Sequence, residues 1–526
     1  MPKVQIKNQK ILVGGKEVPL ISGEVHYWRL NANYWRESLK RVREMGLEII
    51  STYVPWDFHE YKRGHFDFTG KTDQARNLKA FLDLTRKEGF WVILRPGPYI
   101  YSEWPRDGVP DYAYKYHRLH PQFLIYAKEY LRQVSKVFMP YLASRKNGHI
   151  LMLQADNEID PWPDVFGHQY GLSSKPGLFQ EFMRDYYKGD LAAMNDRWGT
   201  RYKSFQEASP FIATMLPGEQ GLPLKGDKEL KRHLDYFKFK YWYSQECAKG
   251  SIGMYRDLGV DVPIYLNAYP FFYAHDWAAF QQVSDVVGVD FYPSNELKED
   301  DFEHRKFCDK IRYLSSVSKL PFIAEFQSGI WHGRHYETSV LTPNHYRMIC
   351  MSAFLAGVKG WNWDLDILHP YIRAFPACPV LMIPDYRWFW STQVGRGRKA
   401  MEDGIAKSVL MGSVPFHLDV YFYADKWGYR DAAQSVRDPR GLWALFERLK
   451  SLNLEGMQFD DYLTKAVRTN RPGVLGARYH DANRQIIVLA NISAKPQRNI
   501  QWQCDGASGS VPLLEPKGYT FIKANP

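Results

Sequence analysis

The chain is predicted to be an α/β protein built on a (β/α)8 TIM barrel, with a helical insertion after strand four and a small C-terminal β-domain. Three observations predict this. From Pro19 onward, short apolar runs alternate with longer amphipathic stretches, which is the pattern of a parallel sheet with crossover helices. Eight such units can be counted. Each apolar run ends in a polar or aromatic cluster, as barrel strands do when they bury their bodies and present their C-terminal tips.

At 526 residues the chain exceeds what one hydrophobic core fills, so one large domain with smaller ones beside it is expected. Residues 1–18 read as an N-terminal hairpin, with Val4-Gln-Ile6 and Ile11-Leu-Val13 flanking Asn8-Gln-Lys10 and Gly14-Gly15 turning into Val18. Residues 19–375 make the barrel. Its strands are expected at Leu20 to Tyr27, Glu48 to Trp56, Trp91 to Pro96, Ile150 to Glu158, Pro263 to Ala268, Val286 to Tyr292, Phe322 to Phe326 and Gly357 to Trp363. Between the first two strands, Trp35, Leu39, Val42 and Met45 share one helical stripe that Gly46 ends. Leu78, Phe81, Leu82 and Leu84 form the next stripe, closed by Gly89.

Residues 159–254 are too long for a simple connection and read as a helical insertion, with Trp162, Phe166, Tyr170 and Trp198 set to shape access. Residues 376–462 are a mixed α/β region, with a helix at Gly441 to Leu452 and a strand at Val420 to Tyr423. Residues 463–526 read as a small antiparallel β-domain.

Hydrophobic residues make up 45% and charged residues 24%, which argues against disorder. The 16% of aromatics, with 17 Trp and 35 Tyr, suits either stacking on sugar rings or the packing of a large barrel. Net charge is +11, but the densest basic run, Lys225 to His233, is interrupted by acids. Nucleic acid is therefore not an expected partner. Five widely spaced cysteines, Cys247, Cys308, Cys350, Cys378 and Cys504, fit reduced thiols better than a disulfide framework or a zinc site. The N-terminus has no apolar signal-like region, and no apolar run reaches the ~18 to 20 residues of a membrane span. A cytoplasmic protein without a membrane partner is expected, and self-association into a homo-oligomer stays open.

The strand tips carry the chemistry. Strand four delivers Asp156-Asn157-Glu158 after an apolar run, and strand seven delivers Glu325 after Pro321-Phe-Ile-Ala. Two carboxyl groups on buried strands suit displacement at a sugar carbon, one protonating the departing oxygen and the other attacking or activating water. The alternative for each is a structural ion pair, but a charge that follows several apolar residues is seldom there for packing.

Ser22-Gly-Glu-Val-His-Tyr27, Ser51-Thr-Tyr-Val-Pro-Trp56 and Leu94-Arg-Pro-Gly-Pro-Tyr-Ile100 resemble the β-galactosidases of glycoside hydrolase family 35, over roughly residues 19 to 330. The spacing on to Asn157-Glu158 and Ala324-Glu325-Phe326 is similar too. The resemblance implies Glu158 as general acid/base, Glu325 as nucleophile, a retaining reaction and no metal or other cofactor. It also implies that Glu103 grips sugar hydroxyls with Tyr53 beside it. Ser102 stands at the family's small-residue position, next to Tyr101 where cysteine is common.

Further substrate-binding candidates are Tyr99, Asn157, Tyr292, Trp361 and Trp363. Asn157 offers an amide to the sugar 2-hydroxyl, and either tryptophan offers a floor under the ring. Arg95 and Tyr292 are candidate donors that keep Glu325 ionised, whereas burial and the charge of Glu325 favour a protonated Glu158. His26 and His59 read as core histidines, since no third residue completes a metal-ligand spacing. Asp156 and Asp290 read as supporting acceptors.

After strand eight the family's glycine-rich and Tyr-Asp-Tyr segments give way to Trp361-Asn-Trp-Asp-Leu-Asp-Ile-Leu-His-Pro370, so the reaction type carries over better than the sugar. The expected function is a retaining, exo-acting β-glycosidase of β-galactosidase type acting on an oligosaccharide or other β-glycoside. A β-glucosidase, an exo-β-glucosaminidase, a transglycosylase of the same fold and a silent carbohydrate-binding barrel remain open.

Overall fold

In the computed structural model, residues 3–524 are described except 31, 45, 103–104, 162–168, 173–174, 212–225, 269–274, 292–300, 328–349, 354, 365–379, 383–412, 416–450, 453–456, 461 and 517. The N-terminal hairpin is a three-stranded antiparallel meander, β1 Val4–Lys7, β2 Lys10–Val13 and β3 Lys16–Val18. Both of its turns have two central residues at positive φ, Asn8-Gln9 and Gly14-Gly15. That twist matches the right-handed twist of paired strands.

Eight parallel strands then close into a barrel. They are β4 Leu20–Glu24, β5 Ile49–Tyr53, β6 Trp91–Arg95, β7 Ile150–Gln154, β8 Ile264–Ala268, β9 Val286–Phe291, β10 Phe322–Gln327 and β11 Gly360–Asp364. Their cyclic order follows the chain, and β11 returns to pair with β4. Strands such as Ile150-Leu-Met-Leu-Gln are buried at every position, which explains the continuous apolar runs: both faces are covered, so alternation is lost. Four strands end earlier than the sequence predicts. Val25 to Tyr27 and Val54 to Trp56 stay buried after the ladder stops, so burial outlasts pairing at these tips.

The helices lie where the apolar stripes put them. Trp35–Glu44 buries Trp35, Leu39 and Val42. Leu78–Lys87 is capped by Asn77, whose Oδ1 accepts from Ala80 N at 2.9 Å, and Leu84 on its stripe is only half-buried. Pro121–Phe138 starts with proline in its first turn, where a missing N–H costs nothing.

The insertion after β7 contains Leu178–Tyr186, Leu191–Trp198 and most of the 31-residue helix Asp227–Asp257. The buried Asp235 of that long helix fastens the shorter two, accepting from Trp198 Nε1 at 2.7 Å, from Arg197 and from Tyr187. Trp198 therefore packs inside the insertion and does not line an entrance, and Tyr170 is likewise buried; Trp162 and Phe166 lie outside the described residues.

Beyond β11 come a short parallel pair, β12 Val380–Met382 with β13 Ser413–Pro415, and then two antiparallel sheets. One is β14 Gln458–Asp460, β16 Val474–His480, β17 Gln485–Asn491 and β20 Tyr519–Ala524; the other is β15 Arg468–Thr469, β18 Gln497–Cys504 and β19 Ala507–Leu514. Val474, Ile487 and Leu489 of the first share a core with Ile500, Trp502 and Leu514 of the second. The expected β-domain is thus two sheets packed face to face. The strand expected at 420–423 and the helix expected at 441–452 fall, but for Ser451 and Leu452, outside the described residues.

Candidate active site

The C-terminal ends of the barrel strands deliver a connected polar cluster, and Arg95, the last residue of β6, is its centre. Its guanidinium is fully buried and donates to four side chains: Nη1 to Glu24 on β4, Nη2 to Glu325 on β10 and, at 3.3 Å, to Asn157 beyond β7, and Nε to Gln154 on β7. It also lies 3.7 Å above the centroid of the Tyr53 ring. A charge this deep survives only where acceptors replace its hydration, and two carboxylates do so here. Burial opposes its ionisation, but Tyr53, Tyr265, Glu24 and Glu325 outweigh it and hold the guanidinium charged.

Glu325 receives a second donor. The Tyr53 hydroxyl is 2.6 Å from Glu325 Oε1 and 2.7 Å from Asn157 Oδ1. Its single proton favours the carboxylate, the stronger acceptor. Burial first, and then the nearby carboxylates, push the Tyr53 phenol well above its ordinary value, with Arg95 opposing, so it stays a donor. Glu325 thus sits between a guanidinium and a phenol, both of which favour its charged form.

Beyond the end of β7 the backbone turns sharply through Asp156 at φ 81° and Glu158 at φ 40°, both left-handed and unusual for residues with a side chain. Arg118 braces this turn. It grips both oxygens of Asp156 at 3.0 and 3.1 Å, donates to the Asn157 carbonyl at 3.2 Å, and covers the Tyr99 ring at 3.8 Å. From β8, Asn267 Oδ1 accepts the Glu158 backbone N–H at 3.0 Å. The Asn157 Oδ1 accepts from Gln154 and from Asn267, each at 2.8 Å, and lies near Tyr53. Among the described residues nothing bonds the Asn157 Nδ2.

Asp290, in register with Glu325 on the adjacent strand β9, is fully buried and accepts from Asn267 Nδ2 at 2.7 Å. Its carboxyl meets that of Glu158. Burial raises its affinity for a proton most; the charges of Glu325 and Glu158 and the hydrogen bond to Glu158 add to this, and Arg95 opposes.

Of the residues singled out in the sequence, Tyr53, Arg95, Asn157, Glu158, Asp290 and Glu325 converge on this cluster. Ser102, at positive φ in the segment after β6, has Oγ 3.3 Å from His26 Nε2, and His26 stacks on Trp28 with centroids 5.3 Å apart. Tyr99 does not join them; it is buried under Arg118 against Phe123 and Tyr114. Glu103 and Tyr292 are outside the described residues, and for Trp361 and Trp363 only the β11 backbone is described. His59 is a core residue, with Tyr27 and the Asp67 carbonyl on its two ring nitrogens.

Sequence reasoning gave no role to Glu24, Gln154, Asn267 or Arg118. The available signal was a carboxyl or amide at the end of a buried apolar run, which all but Arg118 show. Among the described residues no group of three or more His, Cys, Asp or Glu side chains is placed to hold a metal, and no helix is long and apolar enough to cross a membrane.

Comparison with known proteins shows a likeness in fold and, over part of the chain, in sequence. A cold-adapted β-galactosidase from Rahnella sp. R3 superposes with a TM-score of 0.50 at 12% identity over 99% of this chain and 100% of its own, a likeness of fold alone. In sequence, an exo-β-D-glucosaminidase of Pyrococcus horikoshii is 28% identical over 367 residues, 62% of this chain and 45% of the relative. A β-1,2-glucosyltransferase of Ignavibacterium album is 28% identical over 381 residues, 65% of this chain and 50% of the relative. A β-galactosidase of Xanthomonas manihotis is 35% identical over 155 residues, 28% of this chain and 25% of the relative. The chain spans about half the length, or less, of these curated relatives. Residues 10–195, which carry β4 to β7 and the Asn157-Glu158 tip, match the family model for glycosyl hydrolases family 35.

Proposed function

We propose that the chain is a retaining, exo-acting β-glycosidase in which Glu325 attacks the anomeric carbon and Glu158 serves first as acid and then as base. One observation carries this reading: two glutamates at the same end of the barrel sit in opposite environments. Glu325 is held by a guanidinium and a phenol, whereas Glu158 meets another carboxyl. Divergent environments of this kind separate a nucleophile from an acid.

In the first step the Glu325 carboxylate bonds to the anomeric carbon as the glycosidic C–O bond breaks, and the Glu158 proton passes to the leaving oxygen. In the second, Glu158 takes a proton from water as that water displaces Glu325. Replacing Glu325 by Gln is expected to abolish turnover and covalent trapping by a 2-fluoro-glycoside. Replacing Glu158 by Ala is expected to slow substrates with poor leaving groups by about 10²- to 10⁴-fold while sparing the formation of the intermediate from activated ones. Trapping of a residue other than Glu325 would overturn the assignment.

For the sugar, Asn157 is the discriminating residue. With its Oδ1 already taken, it has N–H donors left to offer, which suit a 2-hydroxyl and oppose a 2-ammonium. We therefore infer a neutral hexose, β-galactoside first, although exo-β-D-glucosaminidases are among the relatives. Nitrophenyl glycosides test this: a glucosaminide turned over fastest would overturn the sugar assignment and leave the two glutamates untouched. The likeness to a β-1,2-glucosyltransferase favours a second outcome, in which an acceptor sugar in place of water releases the intermediate. Product ratios with added free sugars separate the two.

A further inference from the structure

Asp290 has no part in the reaction as written, yet its surroundings are unusual. Its Oδ2 accepts from Asn267 at 2.7 Å. Its Oδ1 is buried with no N–H or hydroxyl donor among the described residues. A hydrogen bond between its carboxyl and that of Glu158 can be supplied only by a proton on one of the two. Among the described residues, the groups that face it include Glu158 beyond β7, Tyr265 and Asn267 on β8, Glu325 on β10 and Arg95 on β6. Arg95, the cation of the set, is committed to Glu24 and Glu325. Two carboxyl groups in contact disfavour being ionised together.

We propose that Asp290 is a positioning residue for the acid/base step, forming with Glu158 a carboxyl pair that shares one proton and offers it, through Glu158, to the departing oxygen. This rests on the reading of Glu158 given above. As Glu325 loses its charge in bonding to carbon and the glycosidic C–O bond breaks, the pair gives up its one proton to the leaving oxygen; it takes one back from the water that displaces Glu325. The fully buried Asp290 fixes the direction in which Glu158 points, and its oxygen makes the last proton of the pair hard to remove. Burial and the neighbouring carboxylates, which raise the Asp290 proton affinity, act in the same sense.

The test is the pH profile of kcat/KM for the wild type and for Asp290→Asn, which keeps the shape and a hydrogen bond but removes the second carboxyl. The alkaline limb is expected to move to lower pH by about one unit or more, because Glu158 then titrates alone. At neutral pH, substrates with poor leaving groups should slow, while 2-fluoro-glycoside trapping at Glu325 persists. An unmoved limb in a folded, trappable variant would overturn the pair. Loss of trapping at Glu325 in the wild type would instead overturn the broader reading. Should Asp290→Asn not fold, infrared difference spectra replace it: the wild type at neutral pH should show a protonated-carboxyl band that Glu158→Gln removes. Persistence of that band in Glu158→Gln would count against the shared proton.

Discussion

At the scale of single residues, Tyr53 has the clearest separable role. Its hydroxyl reaches Glu325 at 2.6 Å, and its ring lies under the Arg95 guanidinium. Removing the hydroxyl alone, by Tyr53→Phe, keeps the ring and the stacking. A hydrogen bond to a charged group contributes about 1.5–3 kcal/mol, so kcat is expected to fall by about ten- to a hundredfold with the fold intact. Steady-state kinetics check this, and an equal rise in KM with kcat unchanged would assign Tyr53 to ground-state binding. The family resemblance pointed to Tyr53, as a neighbour of Glu103, and the need for a donor to Glu325 pointed to Arg95. It pointed to Tyr292 as the second donor, which lies outside the described residues, whereas Tyr53 fills that position. Asp290 was legible as a buried acid, but its contact with Glu158 depends on which strands face each other, which local pattern does not encode.

At the scale of elements, the turn after β7 concentrates strain and function together. Two residues with side chains take left-handed backbone, and such conformations persist only where surrounding contacts over-determine them. Arg118 supplies those contacts to Asp156 and to the Asn157 carbonyl. Burial pushes the Asp156 carboxyl up from its ordinary value, with Arg118 opposing, so the acid depends on its partner to stay charged. Arg118→Met leaves that acid unpaired and should cost about 3–5 kcal/mol of stability, read from urea unfolding. Activity should fall further than stability requires, since the turn that aims Glu158 relaxes. The sequence put Asp156-Asn157-Glu158 at a strand tip correctly, but it ran the strand on to Glu158. Reading apolar continuity cannot reveal where a ladder stops and a strained turn begins.

At the scale of the whole molecule, the barrel was legible because apolar runs and amphipathic helices alternate along the chain, and the first two helix stripes end at Gly46 and Gly89. Connections made by side chains far apart in sequence were not legible. Asp235 fastening the insertion is one, and Arg118 reaching Asp156 is another.

Burial of histidines across this interior sets a pH dependence. His59, His149 and His275 in the barrel and His117 beside it are each pushed down to about 4 by burial. An exposed histidine titrates near 6.5. Between those values the unfolded chain binds protons that the folded chain refuses. Stability should therefore be full above about pH 6.5, fall as pH drops through that window, and level off below about 4. At pH 5 each group contributes up to about 2 kcal/mol of that loss. Urea midpoints at pH 7 and pH 5 check the sign, and an equal or higher midpoint at pH 5 would contradict it.

Arg95 also has a mechanical consequence. Around the ring, β4, β6 and β10 are never neighbours: one strand lies between β10 and β4, one between β4 and β6, and three between β6 and β10. One guanidinium nevertheless clasps an acid on β4 and an acid on β10 from its place on β6. A ring held only by adjacent ladders can unzip one rung at a time, whereas this spoke makes three distant staves release together. Amide deuterium uptake in those three strands should accordingly proceed as a single slow event.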